Sequence, residues 1–154
     1  LNSELIATLH HPLASLASSA IFLGLIVDLI AYKAKHDWLF YARRFHLIIA
    51  SLAVLLAFLS GYITQEHSSI LCQVPDQAIE KHHALSKIAA LLTWLSLIFE
   101  ISTTQKLRAE KVVFRSFLTL LIISAMTCIF ITANRGSNLS TNHGAGVVQC
   151  SGRA

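Results

Sequence analysis

Residues 45–63, FHLIIASLAVLLAFLSGYI, carry no charged side chain, and neither do residues 116–134, SFLTLLIISAMTCIFITAN. As α-helices rising about 1.5 Å per residue, both are long enough to cross a bilayer core about 30 Å thick. A helix in a water-soluble bundle needs a polar stripe facing solvent. These two segments have none, and that decides between a soluble and a membrane bundle. Two more segments qualify. Leu13 to Tyr32 holds one charge, Asp28, near its end, and Ala84 to Thr104 holds Lys87 near one end and Glu100 near the other. Composition agrees: 55% of residues are hydrophobic and 13% charged, against about 25% charged in a soluble domain. The expected fold is all-α, a single domain over 1–154. It is an integral-membrane, up-down four-helix bundle with spans at about 13–32, 45–63, 84–104 and 116–134.

The connections predict an orientation. Lys33, Lys35, Arg43 and Arg44 lie between the first two spans, with Asp37 as the only acid. Lys106, Arg108, Lys111 and Arg115 lie between the last two, with Glu110 as the only acid. By the positive-inside rule both basic connections are cytoplasmic. The two termini and the connection over 64–83 then lie outside. The N-terminus lacks the basic region of a cleavable signal peptide, so the first span is expected to act as the targeting signal. Short connections make successive helices antiparallel neighbours, and Ala14, Ser18, Gly24, Ala50, Ala57 and Gly61 would let them approach closely. Asp76 suits the N-cap of a third helix that starts outside the membrane and carries His82 and His83 to its surface. Arg135-Gly136 reads as the stop of the fourth helix.

The eight histidines are unevenly placed. His36 and His46 fall on the basic side. His10, His11, His67, His82, His83 and His143 all fall on the other, where an up-down bundle gathers their helix ends. Imidazole is the commonest metal ligand and holds haem iron axially, and facing helices of a bundle are where such sites are built. The cluster is therefore a candidate redox or metal site. Its spacing does not select haem over zinc or copper, and contact with water and headgroups is the plain alternative. Lys87 shares a helix face with His83, where it could neutralise a haem propionate or simply snorkel to the surface. Asp28 and Glu100 are intramembrane acids, hence functional candidates by default. Near the cytoplasmic ends, a snorkelling or Lys-paired Asp28 and a Glu100 paired near Lys106 are expected. Trp38 reads as an interface anchor and Trp94 as bundle packing. Cys72 and Cys150 both fall outside, where disulfides persist, and form a candidate bridge. Cys128 reads as a small buried apolar residue. No Cys-x-x-Cys-His occurs, which excludes covalent c-type haem attachment.

Five motifs then stand in order along nearly the whole chain: His11-Pro12, Asp28-Leu29, Ser60-Gly61, His83-Ala84-Leu85, and Leu139 through His143-Gly144-Ala145-Gly146-Val147. In these the chain resembles a bacterial family of four-helix membrane proteins of unknown function. The last motif is fairly specific and the others are weak singly. Where the family carries a second His and a Pro after its His-Pro, this sequence has Leu16 and Ser18. The resemblance implies haem-iron candidates at His11, His83 and His143, with His83 paired to His11 or His143, and with His10, His67 or His82 as substitutes. It implies haem b near the periplasmic face of the bacterial inner membrane, electron transfer, and exchange with a periplasmic c-type cytochrome or with quinol. The alternative is an accessory subunit of a larger respiratory or photosynthetic complex, with no cofactor or another His-bound metal. An independent enzyme is not expected, since no nucleophile–base–acid set or phosphate-cradling loop appears. No nucleic-acid surface appears either, and a transporter lacks its inverted repeat.

Overall fold

In a computed structural model, residues 3–34, 36–71, 76–103 and 112–143 are described. They form four helices: α1 (Ser3–Ala34), α2 (Asp37–Leu71), α3 (Asp76–Ser102) and α4 (Val112–His143). No strand occurs among the described residues. Every helix contains a stretch long and apolar enough to cross a membrane: Leu9–Ala34, Asp37–Ile63, Gln77–Ser102 and Val112–Leu139. Seven of the eight helix ends extend beyond the expected spans, including these three. α1 begins early enough to carry His10 and His11 on the helix. α2 continues past Ile63 to Leu71. α4 runs straight through Arg135-Gly136 to His143 instead of stopping there. Gly136 is no terminator because the helix uses it for close packing: a Cβ at that position would lie 3.0 Å from the His82 ring.

The helices form a square. α1 packs on α2, α2 on α3, α3 on α4 and α4 on α1, while among the described residues the backbones of the diagonal pairs do not approach closely and meet only through side chains such as His10 with His82 and Arg115 with Phe40. Each inward face repeats at three- and four-residue intervals, as helical geometry requires. Ala17, Ile21 and Leu25 come from α1, Leu47, Ala50 and Ala53 from α2, Ala89 and Leu97 from α3, and Leu118, Ile122 and Ala125 from α4. So many alanines bring the backbones close, which is how helices associate where no water drives them together. Two inward hydroxyls bond within their own helix, Thr93 donating to the Ala89 carbonyl at 2.8 Å and Ser96 to that of Leu92 at 2.8 Å, whereas the buried Ser51 hydroxyl has no hydrogen bond among the described residues. The outward face is apolar, with Phe22, Leu52, Leu91 and Phe130 exposed. Trp38 is 64% exposed, whereas Trp94 packs against the core, as their sequence positions suggest.

The two hairpins, α1–α2 and α3–α4, are copies of one plan. His82 and His83 follow His10 and His11 at the same interval as Glu100 follows Asp28 and Arg115 follows Arg43, seventy-two residues in every case. The buried positions keep that interval too: Ala17 with Ala89, Leu25 with Leu97, Ala53 with Ala125. Equivalent helices therefore sit at opposite corners of the square. A pseudo-twofold axis runs down the bundle and relates one hairpin to the other in the same up-down sense.

Candidate functional site

Polar side chains collect at the two ends of this axis. At one end, Arg43 of α2 is buried and bridges the carboxylates of Asp28 on α1 and Glu100 on α3, the latter at 2.7 Å. Thr119 of α4 donates to the second Asp28 oxygen at 2.5 Å. Arg115 donates to the Asp28 carbonyl at 3.1 Å and lies over the Tyr32 ring. All four helices thus meet in one charge cluster. Sequence spacing points to lysine partners for both acids. The structure gives both acids Arg43, because residue 43 lies nearly two helical turns inside α2 and faces inward between α1 and α3; Lys106 lies outside the described residues.

At the other end lies a cavity of about 630 Å³, lined by His10, His11, His82 and His83 among small residues such as Ala14, Ser18 and Ala57. That volume falls in the range of about 300–1,000 Å³ usual for cofactor and ligand pockets. His10 and His82 face each other from opposite corners, with ring centroids 6.5 Å apart. His10 is half-buried, and its Nδ1 donates to the Ala57 carbonyl on α2 at 2.9 Å. The carbonyl is reachable because Gly61, one turn further on, has no side chain: a Cβ there would lie 2.8 Å from the His10 ring. His82 repeats the arrangement on α4. Its ring meets the Thr132 backbone, and Gly136, again four residues on, makes room for it. The contact is looser, and His82 Nδ1 is buried without a hydrogen bond of normal geometry.

The other expected residues are placed less centrally. His11 is exposed and edges against His10. His83 sits edge-on to both His82 and Phe58. Lys87 is exposed one turn below His83. The side chains of His67 and His143, and the candidate Cys72–Cys150 bridge, lie outside the described residues. Cys128 is a free thiol, half-buried against the core. His36 and His46 are far from the cavity, at the charged end, where His46 packs beside Gly24. Gly61, Gly136 and the carbonyls of Ala57 and Thr132 are absent from the expected site. The signal that exposes them is the seventy-two-residue repeat, which singles out His10 with His82 and directs attention to what each ring touches.

Among the described residues no group of three or more His, Cys, Asp or Glu side chains is set to hold a metal ion. A macrocycle that supplies four ligands of its own asks the protein for only two. An imidazole nitrogen sits roughly 2 Å from a bound transition metal. The ring centre lies about 1 Å beyond, so trans imidazoles have centroids roughly 6 Å apart. The His10–His82 spacing of 6.5 Å suits that arrangement, and the cavity around the two rings is walled largely by small and apolar side chains. No family model, curated protein or solved structure matches the chain.

Proposed function

We propose that the protein is a multi-pass membrane cytochrome that holds haem b at its histidine end and carries electrons. The observation behind this reading is the cavity itself: a cofactor-sized space in an otherwise close-packed bundle, lined by four histidines from two opposite helices. Haem supplies one-electron redox chemistry, and the chain supplies ligation, a low-dielectric setting and exclusion of water. Helix length and the excess of basic residues at the charged end support insertion in the bacterial inner membrane, histidine end and both termini periplasmic. That placement suits exchange with quinol or a periplasmic c-type cytochrome.

The test is a reduced-minus-oxidised visible spectrum of the detergent-purified protein, expressed with ample haem, together with a pyridine haemochrome assay. The expected result is a sharp b-type signal at about one haem per chain. A protein that folds and purifies without haem would remove the cytochrome reading.

A further inference from the structure

The haem reading leaves open which of the clustered histidines bind iron, and the internal repeat answers it. We infer that His10 and His82 are the two axial ligands, each aimed by a carbonyl–glycine pair on the following helix: Ala57 with Gly61, and Thr132 with Gly136. This rests on the haem reading and adds to it. His10 and His82 occupy equivalent positions in equivalent hairpins, so a ligand on the axis meets the same chemistry on both faces. A planar metal macrocycle with two open axial positions has that property. A lipid or other amphiphile, with a head at one end and a tail at the other, does not.

The ring contacts supply the second argument. A histidine that ligates metal through one nitrogen usually donates its other N–H to a carbonyl or carboxylate, which fixes tautomer and orientation. His10 makes that bond to Ala57 through Nδ1, leaving Nε2 as the lone-pair nitrogen. His82 holds Nδ1 buried and unpartnered beside the Thr132 backbone, one small ring movement from the same state. In an apolar wall an imidazole N–H without a partner is costly, so drawing Nδ1 onto the Thr132 carbonyl and turning Nε2 to the cavity improves both contacts together. The glycines complete the device. At either position a methyl group would press on Cε1, the ring atom between the two nitrogens. The glycine pair stands three residues further along α4 than the strict repeat would place it. The two aiming contacts are thus equivalent in kind and offset by most of a helical turn. His11 and His83 are also related by the repeat, but among the described residues neither has a carbonyl partner of this sort, and His11 is exposed.

The experiment compares the wild type with His10→Gly, His82→Gly, His11→Ala and His83→Ala by visible and EPR spectroscopy, before and after adding imidazole. The wild type is expected to hold six-coordinate, low-spin haem. Each of His10→Gly and His82→Gly should turn most of the haem high-spin, and added imidazole should return it to low-spin. His11→Ala and His83→Ala should stay low-spin. Low-spin haem surviving in either glycine variant, or failure of imidazole to restore it, overturns the assignment while the cytochrome reading stands. Haem-free wild type overturns the cytochrome reading and the ligand pair with it.

Discussion

The two ends of the bundle use the same repeat for opposite purposes. At the charged end the repeated residues close on one another. Asp28, Glu100 and Arg43 are all buried and mutually bonded, and the void beside them holds only about 10 Å³. At the histidine end the repeated residues stand apart around about 630 Å³; buried nitrogens without a hydrogen bond occur at both ends, Nε of Arg43 and of Arg115 at the first and Nδ1 of His82 at the second. An end whose opposite charges close directly on one another is a fastening. An end whose polar groups face a shared space leaves room for a ligand. The symmetry is also broken differently. Arg43 turns inward and takes both acids, while its counterpart Arg115 stays at the rim over Tyr32. A strictly symmetric charged end would bury two arginines against two acids. Burying one guanidinium between two carboxylates leaves the second to neutralise the cluster from its edge.

That contrast breaks first at Arg43. Arg43→Met removes the shared cation and leaves Asp28 and Glu100 buried without it. Breaking a buried ion pair this way costs about 3–5 kcal/mol. Thermal unfolding in detergent should show a large loss of stability, with haem per folded chain unchanged. The triple variant Arg43→Met, Asp28→Asn, Glu100→Gln should regain most of it, because the uncompensated charge is gone. A single variant as stable as the wild type would mean that water or lipid headgroups reach the cluster, and the fastening reading would fail.

Thr119→Val is the next largest. The hydroxyl donates to Asp28 at 2.5 Å, and its loss leaves one carboxylate oxygen short of a donor. Hydrogen bonds to charged groups contribute about 1.5–3 kcal/mol, and the lower figure applies here because Arg43 still holds the other oxygen. Denaturant titration of the two proteins would measure it. A drop as large as that of Arg43→Met would shift the centre of the cluster from the arginine to Asp28.

How much of this was legible in the sequence follows from what each feature depends on. The four helices were, because a run such as 45–63 without a charge admits few alternatives in any context. The gathering of histidines at one end was also legible, since it needs only up-down connectivity. The partners were not. Asp28 and Glu100 look like rim acids beside lysines when read along the chain, and only inter-helix packing brings residue 43 between them. Gly136 next to Arg135 looks like a helix stop, because glycine's usual role at a C-terminus outweighs its rarer one as a seat for a ring from a neighbouring helix. The choice of His10 and His82 over His11 and His83 turns on helix rotation, which adjacent residues in a sequence cannot reveal. The seventy-two-residue repeat was in view throughout, but it is carried by residue types at intervals rather than by runs of identity.

The smallest expected effect concerns the two glycines, and it separates the halves of the repeat most finely. Replacing glycine by alanine inside a helix ordinarily stabilises it by about 1 kcal/mol. At Gly136 the new methyl would lie 3.0 Å from His82, a ring whose Nδ1 has no hydrogen bond to hold it in place. The ring can yield by a few tenths of an ångström, so Gly136→Ala should be neutral or slightly stabilising in the haem-free protein. At Gly61 the methyl would lie 2.8 Å from His10, whose Nδ1 is tied to Ala57. Yielding there stretches or breaks that bond, at a net cost of about 1 kcal/mol that offsets the helix gain, so Gly61→Ala should be the less stable of the two. Differential scanning of the haem-free variants side by side reads the sign directly. If Gly136→Ala proves the more damaging, the His82 ring is the more firmly held, and the aiming contact on α4 is tighter than that on α2.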